Sequence, residues 1–193
     1  MRLTRPLKMT AAMLATAALG VSAASALVSP SSVVSPQSLL AQPGSDRLEQ
    51  TAPDPGGGLD WAVRSYISTS AGSCVEAGRL SAGRFGSIGP NGVFEAIPLQ
   101  EGGTCANLLE DPVLLAINHY PAVEDLAPRT VLFGRARTDV TEVQVTVPNG
   151  APRRLATGAG GGFLMPLAGA LQATDLPVQV ALADGRRLTY DWR

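Results

Sequence analysis

The chain holds a single histidine, His119, inside the stretch INHYP. To act as a general base it would need a nucleophile to deprotonate and a carboxylate to orient its ring, and the nearest carboxylates are Glu124 and Asp125. A serine nucleophile of the elbow type requires Gly-x-Ser-x-Gly. The closest match, Gly78-Arg79-Leu80-Ser81-Ala82-Gly83, has one residue too many before the serine, and no helix is predicted after it. The run Gly158-Ala159-Gly160-Gly161-Gly162 has no Lys-Ser or Lys-Thr behind it, so a flexible turn explains it better than a phosphate loop. The acidic pairs Glu110-Asp111 and Glu124-Asp125 lack an Asp-x-Asp-x-Asp ladder and read as solvated loop charges rather than a calcium site. No catalytic, cofactor-binding or metal-ligating residue is predicted.

Arginines recur in close pairs: Arg79 and Arg84, Arg135 and Arg137, Arg153 and Arg154, Arg186 and Arg187. Gathered on one face, they would offer forked donors to carboxylates or to phosphorylated envelope polymers. The acids interspersed among them favour ordinary surface ion pairs instead.

Cys74 and Cys105 are the only cysteines and lie 31 positions apart. Neither has a cysteine or histidine neighbour at zinc-ligand spacing, which leaves a disulfide as the expectation. In the chain-entropy treatment, closing a loop of this length stabilises a fold by about 3–4 kcal/mol. Such a bridge forms in an oxidising space.

The first residues agree with that compartment. Arg2, Arg5 and Lys8 precede a small and apolar run, and Ala24-Ser25-Ala26 offers a cleavage point, so residues 1–26 read as a signal peptide. The alternative is an uncleaved anchor over Met9 to Val28, since a spanning helix takes about 20 residues. Residues 27–58, rich in Ser, Pro and Gly, read as a flexible tether. The folded domain is expected over 59–193, with a boundary between two halves near 126–129. Without the signal the chain carries twelve arginines, no lysine and sixteen acids, a net of −4. That balance argues against nucleic acid as a partner, and makes a membrane relevant only if the first segment stays uncut.

Strands are predicted at Trp61–Ser68, Ser73–Arg79, Val93–Leu99, Thr130–Arg137, Val140–Val147, Arg153–Thr157, Phe163–Leu167, Val178–Leu182 and Arg187–Trp192. Val113–Asn118 fits a buried strand or a turn. In Val140–Val147 the valines at 143, 145 and 147 share one face. Asp184-Gly185, between two alternating runs, suggests a tight primed turn with both residues at positive φ. No amphipathic helix of useful length is present. The fold class is therefore all-β, a small β-sandwich or barrel-like domain whose second half has an immunoglobulin-like layout.

The pattern GRFG followed by a glycine turn, with a cysteine on either side, resembles exported β-rich bacterial proteins, a resemblance that implies no particular activity. The expectation is an exported, non-enzymatic binding or structural module at the cell envelope or outside the cell, with a protein or an envelope polymer as partner. Two alternatives stand beside it: a small hydrolase using His119 with Glu124 or Asp125, and a membrane-tethered partner or sensor domain.

Overall fold

Strand β9 (Arg129–Ala136) is buried on both faces, which is what its nearly continuous apolar run TVLF requires. A computed structural model of the chain describes residues 25–28, 40–70, 72–98, 103–122, 127–190 and 192, and it places β9 in the middle layer of three.

That layer is the antiparallel sheet β12-β9-β8, made with β8 (Val113–Tyr120) and β12 (Gly162–Ala168). Pro166 lies on β12, an edge strand, where the missing N–H costs no ladder bond. Below it lies a sheet in the order β1-β14-β13-β10-β11. Its strands are β1 (Ser25–Val28), β10 (Val140–Val145), β11 (Arg153–Leu155), β13 (Val178–Leu182) and β14 (Arg187–Tyr190). The two sheets enclose one core, in which Leu132, Phe163 and Met165 meet Val143, Val145, Val180 and Tyr190. With β8 to β14 taken in chain order, three strands face four in the arrangement of an immunoglobulin-like sandwich, as the second half led us to expect.

Above the middle layer lies the third sheet, in the order β2-β3-β4-β5-β6. Its strands are β2 (Arg47–Ala52), β3 (Trp61–Ser68), β4 (Gly72–Ser81), β5 (Arg84–Ile88) and β6 (Phe94–Ala96). A short strand β7 (Thr104–Ala106) also pairs with β4. Trp61, Val63, Val75 and Ala77 pack here on Leu114, Ala116, Val131 and Phe133 in a second core. The middle sheet thus serves both cores, its alternate residues feeding one or the other.

Several expectations are revised. β2 lies within residues 27–58, the stretch read as tether, because its sequence RLEQTA is polar and forms a partly exposed edge strand. β8 and β9 pair along their full lengths, so the change of sheet falls before Val113 and not near 126–129. The loop after Asp184 is not a two-residue primed turn. Gly185 alone has positive φ (87°), and bonds from Gly185 N–H to Leu182 O and from Leu182 N–H to Arg186 O close a three-residue loop. The two-residue turn with both φ positive is Ala82-Gly83, joining β4 to β5, within the stretch that resembled a serine elbow.

β1 pairs parallel with β14, and a cut after Ala26 would fall inside it. Residues 1–24, all but the last two of the expected signal, lie outside the described residues, as do residues 29–39 of the expected tether and Glu124 and Asp125. Among the described residues no helix is long and apolar enough to cross a membrane.

Candidate functional site

Strand β4 carries two partners along one edge. Ser73, Cys74 and Val75 pair with β7, while Arg79, Leu80 and Ser81 pair with β5. Between these sets, Glu76, Ala77 and Gly78 have no strand partner on that side among the described residues. A cavity of about 620 Å³ opens at this gap and runs between the upper sheet and the middle one. Volumes of a few hundred to about 1,000 Å³ are typical of small-molecule sites.

One rim is held covalently. Cys74 and Cys105 are bonded, as expected, and they face each other directly across β4 and β7. Tyr66 packs on the pair in a small cluster of its own. The bridge anchors β7, whose Thr104, with Gly103 before it, lines the cavity.

The floor is charged. Arg79 on β4 and Arg129 on β9 both point to Asp54, a residue of the loop between β2 and β3. Arg129 Nε donates to Asp54 Oδ1 at 2.7 Å, and Arg79 Nη1 lies 2.6 Å from Oδ2. Asp54 accepts two further bonds, from Trp61 Nε1 (3.0 Å) and from the Gly56 amide (2.7 Å), the latter as part of the Asp-Pro-Gly turn. All three charged residues are buried. Burial alone would raise the Asp54 carboxyl, but the bonds from Arg129, Gly56 and Arg79 outweigh it and hold the group below the usual carboxylate range.

Aromatic rings lock this cluster. The Arg79 guanidinium lies 3.5 Å from the centre of the Trp61 ring, and Tyr120 on β8 sits tilted against the same ring at 4.6 Å. Arg79 Nη1 also donates to Leu59 O, and Arg129 Nη1 donates to the carbonyls of Ala127 and Pro128. Burial pushes the Tyr120 hydroxyl up, so it keeps its proton at neutral pH.

Glu76 borders the cavity from the other face of β4. Arg64 grips one of its oxygens, with Nε at 2.9 Å and Nη2 at 2.7 Å, and spends its remaining donors on the carbonyls of Ile97 and Pro98. Burial raises the Glu76 carboxyl despite Arg64. Among the described residues neither Ser87 nor Thr104, the aliphatic hydroxyls of the lining, bonds to it. Apolar walls complete the space, Ile88 and Ile97 above and Phe133 below.

His119 does not join this site. Side chains alternate across β8, so Asn118 and Tyr120 face the cavity while His119 is exposed on the opposite face, with Nδ1 3.5 Å from Thr130 Oγ1. The carboxylates expected to orient it, Glu124 and Asp125, are outside the described residues.

The arginine pairs of the sequence do not gather on one face either. Arg137 pairs with Asp139, Arg154 with Glu142 and Arg186 with Asp184, the surface pairing that the interspersed acids implied. The pairing that matters joins Arg79 to Arg129, 50 residues apart by their numbers. The glycine run also proves structural: the Gly160 amide donates to Glu49 Oε2 at 2.7 Å, and Arg135 Nε donates to Gly160 O. Glu49 of β2, which also accepts from Ser65 Oγ, is thereby clamped by this loop.

Asp54 lies within residues 27–58, whose composition reads as a tether, so its role is not evident from the sequence. The Asp-Pro-Gly turn signal just ahead of a strand was the available clue. Compared with family models, with curated proteins and with solved structures, the chain matches none.

Proposed function

We propose that this chain is an exported, non-enzymatic binding module that acts at the cell envelope or outside the cell and takes its ligand in the cavity between the upper and middle sheets. One observation carries the reading: a cavity of ligand size has polar groups fixed in place by buried partners. Preorganised donors of this kind bind without the cost of being ordered on contact. Arginine holds its proton at any physiological pH, and Tyr120 holds its own, so these groups bind and orient, while Glu76, the carboxylate of the lining, is engaged by Arg64 Nε and Nη2. The disulfide supports an oxidising compartment, and with it export.

Two experiments test the reading. In a fragment screen on the full chain followed by NMR, ligands should shift the Trp61 indole N–H resonance. Hits confined to other surfaces would overturn the cavity as the binding element. Intact mass of protein from the native host, before and after reduction and alkylation, should show a processed chain with no free thiol.

A further inference from the structure

We infer that the ligand of this cavity is a monocarboxylate carrying an apolar body, its carboxylate seated on Arg79 and Arg129. The inference rests on the cavity reading above and adds the ligand's chemistry to it.

Charge is the first ground. Arg64 and Glu76 cancel as a pair, while Arg79 and Arg129 share the single carboxylate of Asp54. The five groups together leave one positive charge in a buried setting, and a buried charge without a partner is costly. Glu95, whose carboxyl lies by Gly89 at the rim, is solvent-exposed and does not compensate from there. One excess cation matches one anionic charge, which suits a carboxylate better than a phosphate dianion.

The donors are the second ground. After the bonds already described, Nε and Nη2 of Arg79 have no hydrogen-bond partner among the described residues, while Nη2 of Arg129 packs against Gly56. A guanidinium edge with adjacent free donors is the geometry that takes a carboxylate in two bonds. The third ground is the wall chemistry. Ile88, Ile97 and Phe133 offer apolar surface, whereas the Trp61 ring is already covered by Arg79 and Tyr120 and cannot serve as a sugar-stacking face. The body of the ligand is therefore aliphatic or singly aromatic.

The test compares octanoate, octanol and inorganic phosphate on the full chain, reading affinity by calorimetry and location by the Trp61 indole N–H resonance. Octanoate should bind about tenfold more tightly than octanol, or better, the increment expected of charge-assisted bonds. Arg79→Met, which leaves the neutral Asp54–Arg129 pair, should abolish that difference. The comparison of octanoate with octanol on the native chain decides the matter even if the variant fails to fold. Equal binding of octanol would overturn the carboxylate inference and leave the cavity reading standing. Phosphate binding as tightly as octanoate would overturn the apolar body. If none of the three moves the Trp61 resonance while neutral fragments do, the ligand class is wrong; if no fragment does, the cavity reading falls as well.

Discussion

Arg129 Nε lies 2.7 Å from Asp54 Oδ1 although 75 positions separate the two residues in the chain. The contact links the loop after β2 to the first residue of the middle sheet's central strand, and Arg79 completes it from β4. Three elements that are distant in sequence therefore converge on one buried carboxylate.

Removing that carboxylate should be expensive. Asp54→Asn leaves Arg79 and Arg129 buried without their counter-ion, and losing one partner of a buried pair typically costs about 3–5 kcal/mol. Urea denaturation of the variant and the native chain checks this. A loss below about 1 kcal/mol, the value of exposed pairs, would mean that the cluster is solvated in solution.

Acid should erase the same contribution. Because the folded-state pKa of Asp54 is lowered, its stabilisation is present above the unfolded value, about 3.9, and fades as pH falls through the folded value. The gap in melting temperature between the native chain and Asp54→Asn should thus be widest at neutral pH and close in acid. Glu76 has the opposite sign: its pKa is raised, so its contribution is present below about 4.3 and is lost as pH rises through the folded value. Glu76→Gln should flatten that second trend; a gap to Asp54→Asn that stays constant into acid would contradict the first assignment, and a gap to Glu76→Gln that stays constant would contradict the second.

The disulfide closes a loop with a sequence separation of 31 and fastens a strand of only three residues. Replacing both cysteines by serine should lower stability by about 2–4 kcal/mol, measured as a shift of the denaturation midpoint. The loss should come with NMR shifts at Thr104 on the cavity rim. An unchanged midpoint would show that β7 is held by its ladder alone.

Gly161 has φ of +87° and its backbone packs against the carbonyl of Ala136, leaving no room for a side chain. Gly161→Ala should therefore cost about 1–3 kcal/mol, whereas the same change at Gly169, which also has positive φ but open space around it, should cost less. Equal losses would show that the packing against Ala136 contributes nothing.

Much of the secondary structure was legible in the residues themselves. The valines at 143 and 145 alternate with Glu142 and Gln144, and they are buried as that period implies. WAVRSYIS is β3 from its first residue to its last, and two cysteines without metal-ligand neighbours did form the bridge. β2 and β5 were missed because RLEQTA and RFGSI carry a single polar-rich or glycine-broken turn of the pattern, too little for a period to show. Alternation is a local property, since a strand that buries one face must repeat every second residue.

The site was decided elsewhere. Nothing within a few residues of Asp54, Arg79 or Arg129 marks them as partners. Their meeting depends on which edge of β4 receives β5 and β7, and on how the upper sheet stacks over β9. Strand order and sheet stacking are set by the summed burial of both cores, a non-local quantity. An all-β chain with a cross-strand bridge follows from alternation and cysteine count; two arginines meet one aspartate beside an open cavity because ion-pair choice follows the packing of layers and not the spacing of residues.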